Sequence, residues 1–131
     1  MGFLSVIVAA LAGFGLGAAW YMTFSKPWME AAGVPRDADG RPANGSNPLP
    51  FLIAFAAMLL VAGMMRHTLA MSGIEGFGKS FLTGLGVGAF FVAPWLAMDY
   101  AYSMRDRRLT WSDGGYAVLG CGVIGGVLGL F

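Results

Sequence analysis

Residues 12–33 read AGFGLGAAWYMTFSKPWMEAAG. Three glycines alternate with apolar residues, and a Trp–Tyr pair, a lysine and a second tryptophan follow. In a bilayer, small residues let helices approach closely, and tryptophan and tyrosine gather at the membrane–water boundary. The stretch is therefore typical of the end of a membrane-spanning helix. The run Gly2–Phe24 has no charged residue over 23 positions, enough for an α-helix to cross a hydrocarbon core of ~30 Å.

The composition places the whole chain in the same class. The 131 residues are 57% hydrophobic and only 11% charged, with a mean hydropathy of +0.69, whereas soluble domains carry about 25% charged residues. A formal net charge of +1 gives no reason to expect a nucleic-acid partner. Cys121 is the single cysteine, so no intrachain disulfide or cysteine-based metal site is expected. We interpret it as a small core hydrophobe, and no cofactor is expected.

Three further apolar runs complete the predicted fold. We expect a single all-α transmembrane domain, a four-helix bundle, with helices at about 2–24, 49–68, 80–102 and 113–131 and a short interfacial turn at 25–33. Ser25 would cap that turn and Gly33 would end it, while Ser112 or Asp113 would cap the last helix. The residues between 34 and 48 are rich in turn-forming types and predict a solvated loop.

The third span echoes the first. Residues 83–91, TGLGVGAFF, align glycine for glycine with residues 12–20, AGFGLGAAW. This alignment predicts two helical hairpins in a weak internal repeat, an arrangement known in membrane folds. Pro94 removes a donor from the third helix and should kink it.

The basic residues predict an orientation. With four spans, both termini lie on one side, and the loops 25–48 and 103–112 lie on the other. The loop side carries six basic residues against two, Arg66 and Lys79, on the terminal side; the six are Lys26, Arg36, Arg41, Arg105, Arg107 and Arg108. The positive-inside rule then makes the loops cytoplasmic and the termini periplasmic. Four tryptophans are expected to anchor the cytoplasmic boundary: Trp20, Trp28, Trp95 and Trp111.

The glycines predict close helix contacts. Gly13 and Gly17 form a small-xxx-small pair on one face of the first helix, and Gly15 makes a second thin face. The full set of predicted helix-contact glycines is Gly13, Gly15, Gly17, Gly84, Gly88, Gly122, Gly125, Gly126 and Gly129. Such pairs usually serve internal packing, yet these faces exceed what four helices need among themselves. We therefore expect some to dock other transmembrane helices, in a hetero-complex or a homo-oligomer, besides the surrounding membrane lipids.

Catalysis has no support in the residues. None of the predicted spans carries an ionisable group near its middle, so a proton or ion relay is disfavoured, and no second histidine or paired carboxylate suggests an enzyme. The alternative is a small transporter or a ligand- or pigment-binding bundle. A transporter site would use broken helices, for which Pro94 and the nearby glycines are the one hint. His67, four residues after Gly63, has the spacing at which a helix can ligate a flat macrocycle.

A group of aromatic, glycine and charged residues resembles a known family. The residues are Trp20-Tyr21, Phe24, Lys26, Trp28-Met29, Gly33 and Asp113-Gly-Gly-Tyr116, and they are similar to those of the domain-of-unknown-function 1761 family. The resemblance implies a small bacterial membrane protein with four helices, placed in the inner membrane, and implies no activity. The chain departs from the family pattern at Ser25 and Pro27. Together these points predict a non-catalytic accessory or scaffolding subunit of a larger membrane complex.

Overall fold

The computed structural model describes residues 2–40, 42 and 47–131. These residues form helices and no named strand; the only pairing of strand type is an isolated bridge between Arg36 and Pro42. The helices are α1 (Gly2–Thr23), α2 (Ser25–Ala32), α3 (Leu49–Met71), α4 (Phe77–Val87), a π-helical segment (Gly88–Val92), α5 (Ala93–Tyr102) and α6 (Arg107–Gly129). Arg41, one of the six loop cations, lies outside the described residues, as do positions 43–46 of the predicted loop.

Among the residues that the structure describes, three helical segments are long and apolar enough to cross a membrane. They are Gly2–Thr23, Leu49–Met71 and the continuous run Phe77–Tyr102. Their outer surfaces carry large apolar side chains, among them Phe3, Leu60 and Phe90, which are 87%, 77% and 79% exposed. Such a surface is unfavourable in water and suits contact with lipid acyl chains. The chain is therefore all-helical and compatible with an integral membrane protein.

Helix α6 lies at the centre of the packing. It contacts α1, α2, α3, α4, the π segment and α5, and it carries nine buried residues, more than any other helix described. Ile124 of α6 packs in one core cluster with Ala9, Ala62 and Met65. The span criterion that selects the other three segments does not select α6. Its glycines and its polar first turns make it the least apolar long helix, and its neighbours bury much of its surface, although Leu119 is exposed.

Contacts between helices occur at two opposite ends of the molecule, which we call the terminal end, near the chain termini, and the loop end, near the loops 25–48 and 103–112. At the terminal end, the guanidinium of Arg66 lies beside Gly2, and the backbone at Gly129 packs against the carbonyl of Gly76. At the loop end, Arg105 Nη2 donates to the carbonyl of Ala32 over 3.2 Å. Helix α1 therefore begins, and helix α6 ends, at the same end of the molecule.

Pro94 does not break its helix. The turn before it widens into the π segment Gly88–Val92, in which the N–H of Ala93 donates to the carbonyl of Gly88. Proline has no N–H to donate to the preceding turn, and a π turn accommodates this by including one extra residue in the helix. The helical run Phe77–Tyr102 therefore continues through Pro94, and the kink itself stays a prediction.

Two predicted helix caps are wrong. Helix α6 begins at Arg107, not near residue 113, because Asp106 Oδ1 accepts the N–H of Arg108 over 2.9 Å and caps the helix there. The first two turns of α6 are largely polar, so the apolar content of the sequence could not indicate that the helix begins there. At α2, Phe24 occupies the N-cap position and Ser25 makes no capping hydrogen bond, since the N–H groups of Phe24 and Trp28 continue the helical pattern across the junction.

The other helix boundaries lie within three residues of the predicted ones. Gly33 ends α2 in the left-handed conformation, with φ of 69°, as predicted. Helix α1 ends at Thr23, and α3 extends three residues past the predicted end, to Met71. His67 is therefore a full turn inside α3.

Candidate functional site at the loop end of α1, α5 and α6

The glycines of α1 divide into two kinds. A Cβ added at Gly13 would lie 2.9 Å from Ile124 Cδ1, and one at Gly17 would lie 2.5 Å from Tyr116 Oη, so both positions face α6. A Cβ added at Gly15 would have no neighbour within 4 Å. Two of the three α1 glycines thus serve contacts within the chain, and Gly15 lies in open space.

The corresponding glycines of the third span behave in the same way. A Cβ at Gly84 would contact the backbone of Cys121, and one at Gly88 would lie 2.5 Å from Val118 Cα. A Cβ at Gly86 would again have no neighbour within 4 Å. In both aligned segments the outer glycines meet α6 and the middle glycine is open.

The glycines of α6 complete this interface from the other side. Gly125 packs on the carbonyl of Ser80, and a Cβ at Gly129 would lie 2.5 Å from the Gly76 carbonyl oxygen. Gly122 and Gly126 leave room for the side chains of Leu85 and Phe77. Of the nine glycines named from the sequence, eight therefore pack within the chain. Gly15 is the exception.

A cluster of two tyrosines and one aspartate joins three helices at the loop end. Tyr21 of α1 donates its hydroxyl to Asp113 Oδ1 over 2.5 Å, and Tyr100 of α5 donates to Asp113 Oδ2 over 2.5 Å. Each carboxylate oxygen of Asp113 on α6 thus accepts one phenol. Hydrogen bonds to an ionised carboxylate are among the strong ones, and a partly buried carboxylate needs such partners. We call Tyr21, Tyr100 and Asp113 the tyrosine–aspartate cluster.

Trp20 makes a second connection between α1 and α6. Its indole Nε1 donates to the carbonyl of Ser112 over 3.0 Å, and a Cβ added at Gly115 would lie 2.9 Å from the Trp20 ring. Tyr116, one turn along, donates to the carbonyl of Gly13 over 2.8 Å. The two halves of the family-like motif, Trp20-Tyr21 and Asp113–Tyr116, are therefore in direct contact although about 90 residues separate them.

A hollow opens beside this junction. Its volume is about 330 Å³, within the ~300–1,000 Å³ typical of small-molecule sites. We call it the tryptophan hollow; its lining residues are Trp20, Phe24, Pro27, Trp28, Arg108, Trp111 and Ser112. Trp28 is half-buried and Trp111 is exposed. The hollow is therefore an aromatic surface at the end of the apolar spans.

The one charged side chain of the hollow, Arg108, is held by two carboxylates. Its Nη2 lies 2.9 Å from Asp106 Oδ2 and its Nη1 lies 3.3 Å from Glu30 Oε2. The hydrogen bonds from Arg108 hold the pKa of the Asp106 carboxyl below its ordinary value. All three groups are largely solvent-exposed, so these pairs fix orientation more than they add stability.

The four predicted tryptophan anchors are not equivalent. Trp20, Trp28 and Trp111 line one hollow, whereas Trp95 on α5 is 66% exposed and is not part of it. Ala93 lies against Gly114, so Trp95 is at about the level of Ser112 along the molecular axis. The anchor role itself stays a prediction.

His67 lies on the outer face of α3. Its neighbours Met65 and Leu69 are buried, while His67 is exposed. A Cβ added at Gly63, one turn earlier, would have no neighbour within 4 Å. In the part of the chain that the structure describes, no group of three or more His, Cys, Asp or Glu side chains is placed to hold a metal ion.

The sequence alone did not identify the tyrosine–aspartate cluster. The sequence pattern predicts Asp113 only as a helix cap and as part of the family-like motif. One signal was available: Tyr21, Tyr100 and Asp113 are polar residues near span ends that the four-span topology puts at the same end of the molecule. Which of them share a hydrogen bond depends on helix rotation, which the apolar pattern does not define.

A comparison with known protein families supports the resemblance noted in the sequence. A family model described as "Protein of unknown function (DUF1761)" matches residues 4–129, nearly the whole chain. No curated protein and no solved structure matches the chain.

Proposed function

The chain belongs to the DUF1761 family, as the resemblance indicated, and we propose that it is a non-catalytic accessory or scaffolding protein that packs against another transmembrane helix through the outer face of α1. The observation that carries this proposal is the open space at Gly15. Every other glycine of the predicted contact set packs against a helix of the same chain.

The outer face of α1 has the form of a helix contact surface. Gly15 is followed one turn later by the exposed residues Ala18 and Ala19, and the exposed side chains of Leu11 and Met22 lie above and below them. Gly15 and Ala19 form a small-xxx-small pair, which lets a second backbone approach closely and gain van der Waals contact. Lipid chains would fill this notch less closely than a helix would.

The finer architecture is part of the same proposal. We infer four spans, with α6 as the fourth, enclosed by the other three. The matching behaviour of the glycines in residues 12–20 and 83–91 supports a weak internal repeat. The excess of basic residues at the loop end supports cytoplasmic loops and periplasmic termini in a bacterial inner membrane.

Substitution at Gly15 tests the docking surface. Gly15→Leu adds bulk at a position where a Cβ meets no neighbour within 4 Å, so the fold should survive while association is lost. Gly86→Leu is the matched control, since Gly86 is the equivalent open glycine on α4. We expect Gly15→Leu, purified in mild detergent, to lose its co-purifying partner or its own oligomer, and Gly86→Leu to keep it. Unchanged co-purification and particle size in Gly15→Leu would contradict the proposal.

A second candidate rests on the outer face of α3. An exposed His67 with open space at Gly63 has the spacing and room for an axial ligand to a flat macrocycle. Purified protein should then absorb in the visible range, and His67→Ala should remove that absorbance. A colourless preparation from cells that make such pigments would end this alternative.

A further inference from the structure

A second cavity opens at the terminal end, between the end of α3, the start of α4 and the end of α6. Its volume is about 510 Å³, within the ~300–1,000 Å³ typical of small-molecule sites. Its wall combines two ionisable side chains and a hydroxyl with apolar side chains: Arg66, Glu75, Ser80, Leu69, Ile74 and Leu128. We call it the terminal cavity.

The two charges of the terminal cavity have no protein partner in the part of the chain that the structure describes. No carboxylate pairs with Arg66 there, and no cation pairs with Glu75. The Arg66 guanidinium therefore keeps its five N–H donors, and the Glu75 carboxylate keeps its acceptors. A ligand with one negative and one positive group would satisfy both side chains, whereas a simple ion of either sign would meet a like charge.

The inner wall of the cavity favours the negative group of such a ligand. Gly76, the residue before α4, lines the cavity, and no side chain caps that helix. The first N–H groups of an α-helix have no intrahelical acceptor and attract an anion.

The Ser80 hydroxyl is an independent sign of a ligand at the same wall. Ser80 is 1% exposed, and its Oγ has no hydrogen-bond partner among the described residues. The Oγ faces Gly129, where an added Cβ would lie 2.8 Å away, and both residues line the cavity. Buried polar groups are normally hydrogen-bonded, so an acceptor oxygen in the cavity would supply the missing partner.

We propose that the terminal cavity binds a phospholipid with a phosphoethanolamine head group. The phosphate would accept hydrogen bonds from Arg66 and lie toward the start of α4, and the primary ammonium would donate to Glu75. The acyl chains would cover apolar side chains of the wall, such as Leu69 and Ile74, which a soluble zwitterion would leave without contact. The cavity lies at an end of the apolar helices, where lipid head groups are expected. The proposal is independent of the docking surface on α1.

The head group distinguishes this ligand from other phospholipids. Phosphatidylcholine has the same phosphate, but its quaternary ammonium has no N–H to donate to Glu75. Phosphatidylglycerol has no cation, so Glu75 would face a net negative ligand. The acyl chains are common to all three lipids. A cavity that binds lipid through the chains alone would therefore show no preference among them.

Native mass spectrometry of the full-length protein in mild detergent tests the proposal. The probes are dioleoyl phosphatidylethanolamine, phosphatidylcholine and phosphatidylglycerol, added together in equal amounts. We expect the bound ethanolamine lipid to exceed each of the others about tenfold, the effect of one charge-assisted hydrogen bond. Glu75→Gln should bring the ratio of ethanolamine to choline lipid to about one, and Arg66→Gln should lower the occupancy of all three about tenfold.

Arg66 and Glu75 are both exposed, so neither substitution threatens the fold, and Lys79→Gln is the matched control. Lys79 is an exposed cation near the start of α4 that does not line the cavity, so its removal should leave the three occupancies unchanged. Equal occupancies in the parent protein, or an ethanolamine preference that survives Glu75→Gln, would overturn the proposal. Displacement of the lipid by an equimolar amount of free phosphoethanolamine would identify a soluble zwitterion as the ligand and would also overturn it.

Discussion

The close approach of the α4 and α6 backbones at Gly84 predicts a loss of stability when a side chain is added there. Gly84→Ala adds a single methyl group where the two backbones meet. That methyl carbon would contact the carbonyl oxygen of Cys121 and would lie 2.8 Å from the Cys121 carbonyl carbon. Because the obstacle is backbone and not a flexible side chain, no rotamer change can relieve the clash.

The size of the effect follows from these distances. Carbon atoms in contact prefer about 3.5–4.0 Å, so the helices must separate by about 0.7 Å or more near Gly84. Overpacking of this kind costs about 1–3 kcal/mol. The same separation loosens the contacts at Gly88 and Gly125 along one interface. We therefore expect Gly84→Ala to lower the free energy of unfolding by about 2 kcal/mol.

Gly86→Ala is the internal control. It makes the same chemical change two residues away in the same helical run, where the added methyl group has no neighbour within 4 Å. Its stability should equal or slightly exceed that of the parent, because alanine favours helix over glycine. The assay is reversible unfolding by sodium dodecyl sulfate in mixed micelles, followed by circular dichroism. Equal stabilities for the two variants would refute the close approach of α4 and α6.

Three further predictions concern the loop end and the topology. Tyr21→Phe and Asp113→Asn should each lower the free energy of unfolding by about 1–2 kcal/mol. A double-mutant cycle should show coupling of about 1 kcal/mol between them, and additive effects would argue against their hydrogen bond. Because Arg108 lowers the pKa of Asp106, their contact is complete above the ordinary aspartate value near ~4 and is lost as the pH falls through the lowered folded value. Hydrogen-exchange protection of the Arg108 amide should fall only in that acid range, and a loss of protection near neutral pH would contradict the assignment. A reporter fused after Phe131 should be active only in a periplasmic assay, and cytoplasmic activity would reverse the orientation.

The sequence predicted the helices well because their signal is local. An uncharged run such as Gly2–Phe24 has one low-energy solution in lipid, since every backbone group must be satisfied within the segment. Boundaries were less accurate where polar residues continue a helix beyond the apolar run. The first two turns of α6 show this, because Asp106 caps a helix that apolar content would start several residues later.

The use of the glycines could be predicted only in part. Spacing alone puts Gly13 and Gly17 on one face and Gly15 on nearly the opposite face. Spacing does not say which face meets α6 and which stays open. That choice depends on the rotation of α1 about its axis, which contacts such as that of Tyr116 with the Gly13 carbonyl define. The tryptophan hollow could not be predicted from the sequence for the same reason, since its formation depends on the relative placement of α1, α2 and α6.

The central claim is that lipid covers the outer faces of these helices while α6 is enclosed. The accessibility of nitroxide labels to oxygen and to a water-soluble nickel chelate measures this directly. The labels are placed one at a time at Leu60, Phe90 and Ile124 in a Cys121→Ala background, and each protein is reconstituted in bilayers. Leu60 and Phe90 are exposed on the outer surface of the spans, and Ile124 is 1% exposed. Electron paramagnetic resonance should find Leu60 and Phe90 open to oxygen but closed to a water-soluble nickel chelate, and Ile124 closed to both. A nickel chelate that reaches Leu60 and Phe90 would contradict the account.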